Sequence, residues 1–333
     1  MPVRLQDIAR SLDVSVVTVS KVLRNQGKIS TATRKRVLRR AKQLNYQANW
    51  IARSLVMRRT FTVGLLLPDF THPFFAEVTK AVAQTVRPQG YHLILSYFEE
   101  DPELERTEAD SLIARQVDGL IAATAQSRPD WFEGILKRKL PLVLIDRPIP
   151  GLPASFVGTD NETVGKLATS HLIALGCRRI AHLRGPGIGI AAARLAGYRQ
   201  ALKKHNITVP SRYVLAARYV DHSGYTAMRK LLKSDPIPDG VFCYNDPVAI
   251  GAMKAISEAG LRIPQDIAVV GAGNVQYSDV LAIPLTTVDQ GAAQMGRQAA
   301  EFLMEQIGAK HKPRIRRVLI PPRLVVRQST QRT

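Results

Sequence analysis

The residues of this 333-residue chain that could do chemistry stand at the ends of short apolar runs. Pro68-Asp69-Phe70 follows the run Thr62–Leu67 and precedes Phe74-Phe75, Asp146-Arg147 closes another run, and Tyr219, Asn245-Asp246 and Asn274 close later ones. Carboxylates, amides, a guanidinium and aromatic rings in such places can orient a polar ligand by hydrogen bonds and stack on its apolar face. Bond-making chemistry has no comparable support. A G-x-S-x-G elbow, an H-E-x-x-H pair and a C-x-x-C pair are all missing, and the seven histidines are scattered from His72 to His311. Cys177 and Cys243 lie in separate apolar segments, as buried thiols of a reducing compartment do. Six residues lie between Gly158 and Gly165-Lys166 where a P-loop has four between its glycines, and Leu167 replaces the hydroxyl residue. Gly185-Pro186-Gly187-Ile188-Gly189 is too loose for a dinucleotide fingerprint. The expectation is a binding protein that is not an enzyme, with no catalytic residue, metal or cofactor.

Elements must bring those residues together. From Phe61 onward, apolar runs at Thr62–Leu67, His92–Ser96, Gly119–Ala123, Leu142–Asp146, Ile180–Leu183, Val214–Ala217, Val241–Tyr244 and Ile267–Val270 read as buried strands. Amphipathic stretches such as Phe74–Arg87, Glu162–Leu175, Arg194–His205, Pro247–Ala259 and Ala292–Gly308 alternate with them. Strict alternation implies parallel sheets with helices on both faces, here in two lobes, and open sheets of this kind bind ligands beyond the carboxyl ends of their strands. Leu285–Val288 and Leu319–Val326 return at the end, so the chain is expected to cross between lobes near Gly158, Pro284 and Pro321.

Charge separates a head from this body. Lys and Arg number 47 against 27 Asp and Glu, a net +20 that suits a polyanionic partner. Residues 1–60 hold 14 basic and two acidic residues, or +12, leaving +8 on the other 273. Within the head, Leu5, Ile8, Ala9 and Leu12 mark a short helix that Asp13-Val14-Ser15 breaks, with Ser15 placed to cap a second helix over Val16–Leu23. A third, from about Thr31, carries Val37, Leu38, Ala41 and Leu44 inward and Arg34, Lys35, Arg36, Arg39, Arg40 and Lys42 outward. Two short helices, a tight turn and a closing third make a helix-turn-helix, whose second helix enters the major groove of double-stranded DNA. Its Val16 and Val17 are expected to face outward, where methyl groups can pack on thymine, while Lys21 reaches guanine acceptors. Ser15, Thr18, Ser20, Asn25, Ser30, Thr33 and Tyr46 suit phosphate oxygens; each could equally be a cap or a solvated polar group.

Asp7-Ile8-Ala9, Val14-Ser15-Val16-Val17-Thr18-Val19-Ser20-Lys21-Val22-Leu23, Asn45-Tyr46 and Asn49-Trp50-Ile51-Ala52-Arg53-Ser54-Leu55 resemble the lactose/galactose-repressor (LacI) family of transcription factors. The likeness continues through Val157-Gly158-Thr159-Asp160-Asn161, Arg194-Leu195-Ala196-Gly197-Tyr198, Asn245-Asp246-Pro247 and Leu285-Thr286-Thr287-Val288-Asp289-Gln290. It implies an α/β protein: a three-helix helix-turn-helix head (1–46), a hinge helix and linker (47–60), and a two-lobed, periplasmic-binding-protein-like effector-binding and dimerisation body with parallel sheets (61–333). Lobe one would be about 61–158 and 287–320, lobe two about 159–286 and 321–333. The resemblance further implies that Asn49, Ala52, Arg53 and Leu55 act at the DNA, Leu55 as a wedge prying the minor groove open. Effector contacts would fall on Asp69, Phe74, Arg147, Arg194, Tyr219, Asn245 and Asn274, with Arg194 clamping hydroxyls or a carboxylate.

One departure bears on the ligand. Where the family has Gly, an aromatic residue and Asp after a late strand, this chain has Gly271-Ala272-Gly273-Asn274, which puts a neutral hexose in doubt. A second cleft arginine, Arg147, would favour an acidic ligand unless it pairs with Asp146. The expected function is a repressor that binds a palindromic operator as a homodimer under control of a sugar or sugar derivative. The alternative is a solute-binding protein of the same two-lobed fold. No apolar run approaches the ~18 residues of a membrane span, and the first residues have no apolar signal core, so a cytoplasmic location is expected.

Overall fold

The structure, a computed structural model, describes all residues except 1–2, 24–26, 47–53, 55–56, 58, 187–188, 219–220, 310, 312–313 and 332–333. It divides into two compact units, Met1–Thr60 and Phe61–Thr333.

In the first unit α1 (Leu5–Leu12), α2 (Val16–Leu23) and α3 (Thr31–Gln43) enclose a core of Ile8, Ala9, Val19, Val22, Val37 and Ala41. Asp13, in the left-handed region at φ 51°, ends α1. Ser15 Oγ accepts from the Thr18 N–H at 3.1 Å and Ser30 Oγ from the Thr33 N–H at 3.2 Å, so α2 and α3 each start on a serine cap. Leu38, expected inside, is 47% exposed. At about 100° per residue, Val37, Ala41 and Leu44 share one stripe and Leu38 turns off it. Two of the outward arginines also reach the end of α1: Arg36, which is exposed, donates to the Leu12 carbonyl at 3.2 Å and the half-buried Arg40 donates to Ser11 Oγ at 3.0 Å. Guanidinium groups suit the unpaired carbonyls of a helix C-terminus.

The second unit is built on two six-stranded sheets. Sheet one holds β1 (Thr62–Leu67), β2 (His92–Tyr97), β3 (Gly119–Ala122), β4 (Leu142–Ile145), β5 (Ser155–Thr159) and β11 (Arg317–Ile320), all parallel, in the order β11-β5-β4-β3-β1-β2. Sheet two holds β6 (Ile180–Arg184), β7 (Val214–Ala216), β8 (Gly240–Cys243), β9 (Ala268–Ala272), β10 (Thr286–Asp289) and β12 (Arg323–Val325) in the order β12-β10-β9-β8-β6-β7. Successive residues of β1 serve opposite faces: Leu65 joins the core under α4 (Pro73–Val86) and α11 (Ala292–Gly308), Leu66 the core under α5 (Pro102–Ala114) and α6 (Asp130–Lys137). Sheet two is covered by α7 (Asn161–Ala174) and α8 (Ile190–Lys204) on one side, and by α9 (Asp221–Leu231) and α10 (Asp246–Glu258) on the other. Among the described residues no helix is long and apolar enough to cross a membrane.

Leu319–Val326 divides between the two sheets at the crossing expected near Pro321. Two expectations change. β12 runs antiparallel to β10 where parallel strands were expected. Thr286–Asp289 pairs with β9, so the chain leaves sheet two at Gln290-Gly291 rather than near Pro284. Leu285, Thr286, Thr287 and Val288 are all buried, which suits an inner strand with a partner on each side.

Candidate DNA interface and effector cleft

In the head, Val19 and Val22 are buried, while Val16 and Val17 are 39% and 59% exposed and Lys21 is exposed beside them. Two β-branched apolar residues in water at the leading turn of a helix waste hydrophobic burial unless something packs on them. Ser15 and Thr18 are joined hydroxyl to hydroxyl at 2.9 Å, as are Ser30 and Thr33, so these four are engaged in helix starts and keep their remaining lone pairs outward. Ser20 and Tyr46 are half-buried, Tyr46 against the head core. Asn25, Asn49, Ala52, Arg53 and Leu55 lie outside the described residues.

In the body both sheets reverse their winding direction between neighbours, β1 with β3 and β6 with β8. The crevice beyond the carboxyl ends of such a pair is where open α/β sheets hold ligands. His72 follows β1, Glu100 follows β2, Asp146-Arg147 follows β4 and Tyr244-Asn245 follows β8, while Arg194 stands in the first turns of α8 after β6. Across this crevice Asn245 Nδ2 from lobe two lies 3.2 Å from His72 Nε2 of lobe one.

Arg194 is 3% exposed and held on three sides. Its Nε donates to Asn161 Oδ1 at 2.9 Å, its two terminal nitrogens donate to the Tyr244 carbonyl and to Gln290 Oε1, and the guanidinium lies 4.7 Å from the Tyr244 ring centroid. Asn161 begins α7 at the first crossing between lobes and Gln290 follows β10 at the second, so one side chain ties both crossings to the residue after β8. Glycines permit this approach: a Cβ on Gly197 of α8 would lie 2.0 Å from the Glu162 carbonyl of α7, and one on Gly165 would lie 2.1 Å from the Arg194 carbonyl. Burial pushes the Arg194 pKa down, and the Tyr244, Asp146 and Asp246 charges oppose it.

Arg147 is not the free cation that an acidic ligand would seek. Both its terminal nitrogens bond Glu100 at 2.6 Å, a two-pronged pair, and its Nε lies 3.8 Å from Asp146. Burial raises the Asp146 pKa while Arg147 and Arg194 lower it. Asp69 accepts from the N–H and hydroxyl of Thr71 at 2.8 and 2.7 Å. Phe74 is buried in the core of lobe one, edge-on to Phe75, so it serves the core rather than an open stacking face. Asn274 accepts from Arg327 at 2.7 Å and donates to Asp289 at 3.4 Å, bracing the second crossing. Tyr219 lies outside the described residues.

Gly273 stands where the resemblance implies a carboxylate, and its φ is +140°, a conformation side chains rarely adopt. The buried carboxylate nearby is Asp246, which takes bonds from Val275 N, Ser278 Oγ and Thr287 Oγ1 and so anchors the loop after β9. His72, Glu100, Asn161, Tyr244 and Gln290 are the cleft residues that motif reading passes over. Glu100 follows a strand end as the recognised residues do, and Asn161 and Gln290 stand inside quoted blocks. Among the described residues no group of three His, Cys, Asp or Glu is placed to hold a metal ion.

Comparison with known proteins follows the same division. Residues 4–49 match the model of bacterial regulatory proteins of the lacI family, and residues 169–330 match a periplasmic binding protein-like domain. The ribose operon repressor of Halalkalibacterium halodurans is 35% identical over 329 residues, covering 98% of this chain and 97% of that protein. The transcriptional repressor PurR of Haemophilus influenzae is 31% identical over 331 residues, covering 98% of each. A lac repressor dimer bound to operator and the anti-inducer ONPF superposes with a TM-score of 0.87 at 28% identity, covering 99% of both chains. A complex of the transcriptional regulator CelR with cellobiose gives 0.73 at 31% identity, covering 98% of this chain and 99% of that one. With a helix-turn-helix head, a two-lobed body and relatives alike from end to end, this chain belongs to the LacI family of bacterial DNA-binding transcription regulators.

Proposed function

We propose that the chain represses transcription as a cytoplasmic homodimer on a palindromic operator and is released or engaged by a sugar or sugar derivative bound in the cleft. The observation that carries this reading is the exposed pair Val16 and Val17 beside Lys21 on a helix whose other valines are buried. Val16, Val17 and Lys21 read bases; Ser15, Thr18, Ser20, Asn25, Ser30, Thr33 and Tyr46 steady the phosphates; Asn49, Ala52, Arg53 and Leu55 act at the minor groove. Two-fold symmetry of the protein then matches two-fold symmetry of the site. Phe70, Leu95 and Tyr97 are exposed together at the β2 edge of sheet one, the kind of apolar surface a second copy covers.

Within the cleft, Asp69, Arg147, Arg194, Asn245 and Asn274 contact or shape the effector, with Phe74 behind them and Tyr219 on the lobe-two side. Because Glu100 answers the charge of Arg147 and Arg194 is engaged by the protein, a neutral polyhydroxylated ligand suits the cleft better than an acid. Binding must favour one lobe arrangement, since equal affinity for both shifts nothing. The protein is a regulator and not an enzyme.

Fluorescence anisotropy with duplexes from the chain's own upstream region tests the DNA half: affinity for a palindromic duplex should exceed that for a scrambled duplex at matched salt. Equal affinity for both duplexes would leave only a solute-binding role. Thermal-shift measurements with D-ribose, cellobiose, gluconate and hypoxanthine test the ligand half, the neutral sugars being expected to raise the melting temperature.

A further inference from the structure

Parallel strands all start at one end of a sheet, and in lobe one that end is basic. The loop into β4 carries Lys137, Arg138 and Lys139 and the loop into β11 carries Arg314, Arg316 and Arg317, all exposed. Arg115, also exposed, stands before β3. The segments 112–118, 135–141 and 306–317 hold a single acid, Asp118, which accepts from the Phe61 N–H at 2.8 Å. The loops at the opposite end of the same sheet carry Asp69, Glu99, Glu100, Asp101 and Asp146 with Arg128 and Arg147. Gln306, in the last turn of α11, donates to Ser155 Oγ and accepts from the Leu142 N–H, both at 3.2 Å, and Arg316 donates its N–H to Ser155 Oγ at 3.2 Å. These bonds hold the starts of β4, β5 and β11 side by side. In the strand order β11-β5-β4-β3 the seven cations then form a row roughly 14 Å long.

Ordinary structural reasons do not account for this row. Cations favour helix C-termini, yet the last turns of α5 and α11 hold none. Charges also guard sheet edges, which suits β11, but Lys137, Arg138 and Lys139 stand at β4, two strands further in. Among the described residues Arg316 alone of the seven has an ion pair, with Glu305. The chain arrives from the head at this same end, where the Phe61 carbonyl accepts from the His92 N–H at 2.9 Å at the start of β2. We propose that the basic end of lobe one is a second DNA surface, which binds the phosphates of the duplex flanking the operator. The proposal rests on the head being the operator reader. Duplex DNA presents about eight phosphate charges over a length of roughly 14 Å, close to one for each cation of the row. Such contacts carry no sequence information; they add affinity and salt dependence to what α2 reads. Because the row is tethered to the head, it meets flanking DNA at high effective concentration once the operator is bound.

Anisotropy titrations of the full-length protein over a range of salt compare a duplex that ends at the operator with the same operator carrying about 20 further base pairs on each side. The wild type should bind the longer duplex about tenfold more tightly near 0.1 M salt. A variant carrying Lys139→Gln, Arg314→Gln and Arg317→Gln should lose that gain, and its slope of log affinity against log salt on the longer duplex should fall by about 0.9 for each removed cation that meets a phosphate. Its affinity for the shorter duplex and its melting temperature should stay as in the wild type, since all three side chains are exposed and without ion pairs. Lys139→Arg with Arg314→Lys and Arg317→Lys keeps the charge and should keep the gain. Equal wild-type affinity for the two duplexes, or a gain and slope that survive in the glutamine variant, refutes the flank surface. An equal loss on both duplexes refutes it too, because the effect would then lie at the head. Scrambling the operator bases between unchanged flanks separates the two readings: lost operator preference concerns α2, while the gain from the flanks is read from duplex length and the glutamine variant alone.

Discussion

Arg194→Lys should unfasten the joint between the lobes. The guanidinium serves Asn161 Oδ1, the Tyr244 carbonyl and Gln290 Oε1 from three nitrogens held in one plane. An ammonium is a compact charge on a shorter stem and can reach one of those acceptors from the same backbone position. Two acceptors then lose their donor in a site closed to water, at about 1–3 kcal/mol each. Taking about 1.5 kcal/mol for each gives a loss of roughly 3 kcal/mol, with the stacking on Tyr244 a further small part. For a unit of this size that is a fall of roughly 5 °C in melting temperature. Urea unfolding of the wild type, Arg194→Lys, Asn161→Ala and the double variant measures both the loss and the coupling between positions 194 and 161. A loss under about 1 kcal/mol, or additive single effects, would mean that the guanidinium is not the tie between the crossings.

Other perturbations have equally definite outcomes. Lys21→Glu and Val17→Asp change exposed side chains and should abolish preference for the operator over scrambled DNA while the melting temperature stays within about 1 °C; retained preference in both would remove α2 as the reading helix. Gly197→Ala drives a methyl group to 2.0 Å from the Glu162 carbonyl, so α7 and α8 must part at a loss of about 3 kcal/mol, visible in urea midpoints. His182 is buried between Tyr198 and Phe242 with its pKa pushed down to about 4. The unfolded ring takes a proton near 6.5, so its contribution is intact above that value and is lost as pH falls toward 4. This one ring should remove about 2 kcal/mol of stability between pH 7 and pH 5, and His182→Phe should flatten the pH dependence by that amount.

The parts of this molecule that could be read in advance are those set by chain neighbours. The helical stripe of Ile8, Val19, Val22, Val37 and Ala41, the serine caps of α2 and α3, and the alternation of apolar runs with amphipathic helices all follow from spacing within a few residues. So does the position of Asp69, Arg147 and Asn245 at strand ends, which the parallel topology turns into one crevice. Leu38 lies outside the core because a helix stripe is narrower than its list of apolar residues.

What sequence could not supply depends on residues far apart along the chain. Nothing local says that Glu100 neutralises Arg147 from 47 positions away, or that Gln290 and Asn161 cage an arginine 96 and 33 positions distant. Nor does a run of Leu, Thr and Val reveal that β10 belongs to sheet two, since a buried strand is apolar in either sheet. The amino-acid order by itself determined a basic three-helix head on a two-lobed α/β body, because periodicity and capping are properties of neighbouring residues. The charge balance of the cleft, the lacing of the crossings by Arg194 and the meeting of His72 with Asn245 were decided only by the tertiary structure, because electrostatics and hydrogen bonding depend on distance in space and on exclusion of water.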